Sequence, residues 1–140
     1  MGPEFDLAPF LKKVNAKYKL EFAVIFGSRA RGDSLKSSDY DVLFVSNESP
    51  SDIFQRMSDI LGLWEGNVGI EPICFSLDEF EARLKTMNPI VWESLKEGKV
   101  VWGEEKFRKY RNRFNAAVEA GYIDISKTIR FLRSPEAIFS

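Results

Sequence analysis

The apolar positions of the chain change their spacing along its length, and each spacing predicts a different kind of element. Near the start, apolar residues recur every three or four positions, at Leu7, Phe10, Leu11, Val14 and Tyr18. This spacing predicts an amphipathic helix from about Asp6 to Ala16. Runs rich in β-branched and aromatic residues then predict three strands: Leu20–Phe26, Tyr40–Ser46 and Val68–Phe75. Pro72, inside the third run, indicates an edge strand or a bulge.

Polar residues between these strands contain signals for further helices. Ser49 as N-cap, Pro50 in the first turn and Asp52 three residues after the cap predict a second helix. The predicted core face of this helix consists of Ile53, Met57, Ile60 and Leu61. Another helix is predicted over residues 78–86.

The second half of the chain has a mostly helical pattern. Asn88 and Pro89 predict the start of a helix that ends at Gly98, a residue suited to the left-handed C′ position. Residues 100–102 predict a short strand, and a long helix is predicted from about Glu104. The apolar stripe of that helix is Phe107, Tyr110, Phe114 and Val118.

This order of elements predicts an α/β (α+β) fold, a small mixed sheet flanked by helices, which we expect on one side of the sheet. We expect a single domain over residues 1–140, in which residues 104–140 form a C-terminal helical extension. Residues 1–5, MGPEF, resemble a tag remnant from cloning and carry no weight in the functional argument.

Composition narrows the possible chemistry. The chain has no histidine, which excludes Ser-His-Asp and Cys-His catalysis and leaves carboxylates as the main candidate metal ligands. The net charge of −1 does not favour a nucleic-acid partner. The single cysteine, Cys74, is expected in the core and suits a reducing cytoplasm. The sequence shows neither a signal peptide nor an apolar run of about 20 residues that could span a membrane.

The polar stretch after the first strand combines small and cationic residues in a pattern typical of phosphate binding. Gly27 and Ser28 leave that strand at a turn where phosphate oxygens can approach backbone N–H groups. Arg29 and Arg31 can add charge-assisted hydrogen bonds to the same phosphates. The alternative for both arginines is an ion pair that holds the loop, with Asp33, Asp39 or Glu71 as its acid.

Acidic residues in the next strands predict a metal site beside this turn. Asp39 and Asp41 are two positions apart in an extended segment, so both carboxylates lie on the same face. Adjacent carboxylates repel one another unless a cation lies between them, and Mg²⁺ favours one or two carboxylates together with phosphates. Glu71 is a lone acid in an apolar strand; it is either a third ligand or base, or a solvent-facing strand residue.

The segment FGSRARGDSLKSSDYDVLFVS resembles the nucleotidyltransferase signature of Gly-Ser, ten residues, and then Asp-x-Asp between apolar strands. The segments IEPICFSLDEFEARL and NPIVWESLKEGKVVWG resemble the minimal (MNT-type) nucleotidyltransferases of the DNA polymerase beta superfamily. The resemblance implies a polymerase beta palm-like fold, with Gly27 and Ser28 on the triphosphate and Asp39 and Asp41 on two Mg²⁺ ions. Mn²⁺ is an alternative ion, and Glu71 stands as the third acid where many relatives carry aspartate.

The resemblance covers roughly residues 20–103 and implies transfer of AMP from ATP, or of another nucleotide, to an acceptor hydroxyl. It also implies an antitoxin-like protein whose acceptor is a tyrosine or similar group on a HEPN-type toxin. Two alternatives stay open: an antitoxin that neutralises its partner by contact alone, and a nucleotidyltransferase for a small molecule such as an antibiotic. The basic segment KFRKYRNRF is interpreted as a solvated helix face, with an acidic partner or RNA as the alternative, and a homo-oligomer is left open.

Overall fold

The computed structural model describes residues 7–32, 39–126 and 129–139. Its elements are α1 (Leu7–Lys17), β1 (Leu20–Phe26), α2 (Ser28–Arg31), β2 (Tyr40–Ser46), α3 (Ile53–Leu61), β3 (Ile70–Phe75), α4 (Leu77–Lys85), α5 (Pro89–Glu97), β4 (Lys99–Trp102), α6 (Glu104–Glu119), β5 (Ile123–Asp124), β6 (Arg130–Phe131) and α7 (Pro135–Phe139). The bounds of β1 and β2 are those predicted from the sequence. The predicted ends of α1 and β4 differ from the structure by one residue.

Four strands form the central sheet in the order β3-β2-β1-β4. β1 pairs antiparallel with β2 and β4, whereas β2 pairs parallel with β3, so the sheet is mixed as predicted. β3 lies at an edge of this sheet, where Pro72 is tolerated because one side of an edge strand needs no ladder hydrogen bonds.

Helices cover both faces of the sheet, so the expectation of helices on one side is wrong. On one face, β1 and β2 pack against α4, α5 and α6 in a core that contains Phe22, Leu43 and Trp92. On the other face they pack against α1 and α3, through residues such as Phe10 and Ile60. Strands buried on both faces have nearly continuous apolar sequences rather than alternating ones, which explains the run LEFAVIF in β1.

The start of α3 differs from the prediction. Asp52, not Ser49, is the N-cap, because the carboxylate of Asp52 accepts a hydrogen bond from the backbone N–H of Phe54 at 2.9 Å. The hydroxyl of Ser49 instead donates to the carbonyl of Ser46 at 3.3 Å. Leu61, predicted as part of the buried face of α3, is exposed.

Gly98 ends α5 in an extended conformation (φ −66°, ψ 149°), so the prediction of a left-handed C′ residue is wrong. The chain passes directly from α5 into β4, a path that an extended residue follows. The need for glycine is one of space, because a Cβ at this position would overlap the carbonyl oxygen of Ser94 and lie 2.5 Å from Cγ1 of Val24.

The C-terminal residues pack against the same core as α4, α5 and α6. Phe114 on α6, Ile123 on β5 and Phe139 on α7 all belong to that core. The predicted helix from Glu104 is present, but the small sheet of β5 and β6 was not predicted. Cys74 is buried, as expected. Within the described ranges, no helix combines the length and hydrophobicity that crossing a membrane would need.

Candidate functional site

The turn after β1 depends on a glycine. Gly27 has φ 73° and ψ −154°, a conformation that L side chains rarely adopt. A Cβ on Gly27 would also overlap Oδ2 of Asp41, so the absence of a side chain brings the turn and this carboxylate into direct proximity. Ser28 follows as the first residue of α2, a single helical turn in which the N–H groups of Ala30 and Arg31 both donate to the carbonyl of Gly27.

Strand pairing brings two of the predicted acids together at this end of the sheet. Phe26 of β1 is paired with Asp41 of β2, and Asp41 is paired in turn with Glu71 of β3. Paired residues on adjacent strands point to the same face, and the Asp41 and Glu71 carboxyl groups share a hydrogen bond. Asp39 comes just before β2, and its carboxylate rests against Gly69, where a Cβ would overlap Oδ1.

The electrostatics of Asp41 reflect this crowding of acids. Burial raises the pKa of Asp41 to about 6, and the hydrogen bond with Glu71 raises it in the same direction. The negative charges of Glu71, Glu93 and Asp39 add to the effect. The half-buried Asp41 is therefore in an environment that disfavours its negative charge and that a cation would relieve.

The structure does not assemble the predicted triad as a closed metal site. No group of three or more His, Cys, Asp or Glu side chains within the described ranges is arranged so that it could hold a metal ion. What the fold assembles is the pair of Asp41 and Glu71, with Asp39 beside it. Two carboxylates plus substrate phosphates are a common ligand set of Mg²⁺, so these donors fit an ion that binds together with a nucleotide.

The two arginines of α2 point in different directions. The guanidinium of Arg29 lies over the ring of Tyr40, with Cζ 4.5 Å from the ring centroid. Tyr40 belongs to the core on the α1 and α3 side, the opposite face from Asp41. Arg31 forms an ion pair with Glu93 of α5, with Nη1 2.5 Å from Oε1. Both arginines have further interactions in the structure.

The structure shows Glu93, an acid that was not among those considered, as one partner of Arg31. Asp33, one of the three acids considered, lies outside the described residues. Glu93 was not predicted as a site residue, because the segment NPIVWESLKEG has no feature that distinguishes it from an ordinary charge on a helix surface. In the fold it pairs with Arg31 and acts on Asp41, so α5 contributes a fourth acid to this end of the sheet.

A cleft of about 290 Å³ adjoins the ion pair between α2 and α5. It is lined by Arg31, Pro89, Glu93, Lys96, Glu97 and Ile129. Two of these residues, Arg31 and Glu93, form the ion pair described above, and the charge of Glu93 also acts on Asp41.

Comparison with known proteins gives one family match and several similar proteins. The family model described as a nucleotidyltransferase domain matches residues 7–115. A Methanocaldococcus jannaschii protein, named as a candidate protein adenylyltransferase, is 28% identical over 110 residues, which are 74% of each chain. A crystal structure of a candidate nucleotidyltransferase from Sulfolobus solfataricus has a TM-score of 0.50 and 28% identity, and the alignment covers 69% of this chain and 77% of that one.

A crystal structure of a toxin–antitoxin complex with AMP-PNP is a more distant match. It has a TM-score of 0.49 and 12% identity over 85% of this chain and 95% of that chain. A similarity of this size carries no argument about function.

Proposed function

Because this chain belongs to the nucleotidyltransferase domain family, we propose that it transfers AMP from ATP to an acceptor hydroxyl and releases pyrophosphate. The observation that supports this most directly is the contact between Gly27 and Asp41, with Glu71 paired beside Asp41. A glycine turn that can admit phosphates thereby adjoins carboxylates that need a cation.

In this proposal, the Gly27–Ser28 turn receives the triphosphate, and Arg31 provides positive charge on the side of α5. Asp41 and Glu71, with Asp39, would hold Mg²⁺ or Mn²⁺ jointly with the phosphates. The bound ion would supply neutralisation of the phosphate charge.

The transfer step forms a bond between the acceptor oxygen and the α-phosphorus and breaks the bond from that phosphorus to the bridging oxygen. Pyrophosphate leaves with the electron pair of the broken bond, and the proton of the acceptor hydroxyl passes to a carboxylate. Glu71 is the exposed member of the acid pair, so we assign its carboxylate this role.

We further propose that the acceptor is a hydroxyl group on a protein. The relative named as a candidate protein adenylyltransferase favours this class over a small molecule, since it matches most of both chains. We propose a HEPN-type toxin as that protein, as the family resemblance implies. We propose a cytoplasmic location, which suits a chain with a single cysteine.

The test measures nucleotide binding and transfer separately. Calorimetric titration with a non-hydrolysable ATP analogue, with and without Mg²⁺, should show binding that requires the metal. ATP labelled at the α-phosphate should label a co-purified protein. The double variant Asp39→Asn/Asp41→Asn should lose both, whereas the matched removal of two exposed acids, Glu104→Gln/Glu105→Gln, should change neither.

Two results would contradict the proposal. One is a folded wild-type protein that binds no nucleotide at millimolar concentration with Mg²⁺. The other is an Asp39→Asn/Asp41→Asn variant that binds and transfers like the wild type. If that variant failed in transfer but still silenced a toxin partner in cells, neutralisation by contact alone would replace catalysis as the function.

A further inference from the structure

A groove between α4 and α6 lies far along β1 from Gly27. Its volume is about 300 Å³, and its lining includes the partly exposed Leu77 and Tyr110 and, beneath them, the buried Phe22. Phe22 precedes Gly27 by five positions on β1, which corresponds to about 17 Å along a strand. The groove is therefore separate from the acidic residues around Asp41, and a ligand could occupy it without blocking them.

The α6 side of the groove carries three cations, whereas one acid lies on α4 and one on β1. Its charged lining residues are Glu21, Glu81, Lys106, Lys109 and Arg113. Both carboxylates already have partners, because Lys106 forms an ion pair with Glu21 and the hydroxyl of Tyr110 donates to Oε1 of Glu81 at 2.7 Å. Arg113 donates to the neutral carbonyl of Phe139 at 3.4 Å. Among the residues that the structure describes, Lys109 has no acidic partner.

The other cations of the basic segment KFRKYRNRF have different roles. Arg108 pairs with Glu104, one helical turn earlier, at 2.9 Å and does not line the groove. Arg111 donates to carbonyl oxygens at the end of α5, those of Ser94, Leu95 and Gly98. The basic segment is therefore not a uniform solvated face, since one cation caps a neighbouring helix and three line a groove.

The groove-lining residues of α6 follow helical spacing. Lys106, Lys109, Tyr110 and Arg113 occupy positions i, i+3, i+4 and i+7, which form one face. This face is about 10 Å long, two turns of helix, because each residue adds about 1.5 Å. An apolar surface beside the cationic face of α6 complements an amphipathic helix that carries carboxylates along one edge of its apolar side.

We propose that the α4–α6 groove docks an acidic amphipathic helix of a partner protein. An apolar side chain of that helix packs on the partly exposed Leu77 and Tyr110, and its carboxylates pair with Lys109 and Arg113. This docking does not depend on the transfer reaction, so its test can fail without contradicting the proposed catalytic function.

The experiment compares two neighbouring exposed cations of α6, of which Lys109 lines the groove and Arg108 does not. The probe is a fluorescein-labelled 15-residue helical peptide with two leucines four positions apart, flanked by glutamates. Fluorescence anisotropy measures its Kd for the wild-type protein, Lys109→Glu and Arg108→Glu. We expect Lys109→Glu to weaken binding at least about fivefold and Arg108→Glu to change it less than about twofold.

A control peptide has lysines in place of the glutamates and should not bind. Both variants change exposed residues, and their melting temperatures should match that of the wild type. The proposal is overturned if the acidic peptide does not bind at millimolar protein, if both variants weaken it equally, or if both peptides bind equally. Displacement of the acidic peptide by AMP would also overturn it, because the groove would then be a nucleotide site.

Discussion

Asp41 at one end of the central sheet and Arg56 at the other are both withdrawn from solvent, yet their surroundings are opposite. Asp41 faces other acids, and burial together with Glu71 raises its pKa to about 6. Arg56 is buried, donates to the carbonyl of Cys74 at 3.0 Å, and forms an ion pair with Glu79 at 2.6 Å. Burial alone would raise the pKa of Glu79, but the hydrogen bonds from Arg56 and Ser76 hold it below its usual range.

The surroundings of Asp41 and Arg56 show two different arrangements of charge within one fold. Around Arg56, each charge has an opposite partner, so the charges connect α3, β3 and α4. Around Asp41, like charges are held together by strand pairing, which costs stability and which a bound cation would relieve. Variants that change one end of the sheet at a time should separate the effects on activity from the effects on stability.

The largest effect is expected for Asp41→Asn. Removing a carboxylate from the transfer site should lower the rate about a thousandfold, since one charge-stabilising group typically contributes 10²–10³ or more. The same change removes repulsion with Glu71 and should raise the melting temperature in EDTA. A rate assay and calorimetry check both parts.

The stability gain from Asp41→Asn should depend on pH in a definite direction. The folded-state pKa is raised from 3.8 to about 6, so the wild type loses stability as pH rises through this range. The difference in melting temperature should therefore be small near pH 4 and larger at pH 7.5. A difference that shrinks as the pH rises would contradict the assignment of repulsion.

The second effect is expected for Arg56→Met, which leaves Glu79 without its partner. This should lower the free energy of unfolding by about 3 kcal/mol, because the buried Arg56 loses its hydrogen bonds to the carbonyls of Pro50 and Cys74 and to Glu79 together. Urea denaturation measures it, and nucleotide binding by the folded protein should not change. The double variant Arg56→Met/Glu79→Gln should recover part of the loss; no recovery would show that the pair is not the cause.

The third effect is expected for Gly27→Ala. Its positive φ and the overlap with Asp41 Oδ2 should together cost about 2 kcal/mol of stability and weaken nucleotide binding. Gly32→Ala is the matched control, because Gly32 has φ 81° but no atom within 4 Å of a Cβ. It should show only the smaller conformational cost, so equal losses in the two variants would exclude a contribution from the contact with Asp41.

The smallest effect is expected for Ser76→Ala at the end of the sheet near Arg56. Ser76 is the N-cap of α4 and forms a capping box with Glu79, whose carboxylate accepts from the N–H of Ser76. Loss of the cap should cost about 1 kcal/mol without affecting transfer. Thermal unfolding measures it, and a transfer rate that fell in proportion would show that the two ends are coupled.

The sequence determined those features that depend on neighbouring residues. The bounds of β1 and β2 follow from local apolar runs, and the two-residue period of a strand predicts a common face for Asp39 and Asp41. The glycine at position 27 could be recognised as a turn residue because its requirement is set by its own backbone. These local constraints were sufficient to predict a glycine turn followed by a strand with acids at its start.

The tertiary structure decided the features that depend on contacts between segments far apart in the chain. Pairing of Asp41 with Glu71 requires the parallel register of β2 and β3, and the approach of Glu93 requires the packing of α5. The cap of α3 at Asp52 and the extended Gly98 depend on competing hydrogen bonds and on space that only the fold defines. Such contacts join residues far apart in the chain, and no local pattern encodes their distance.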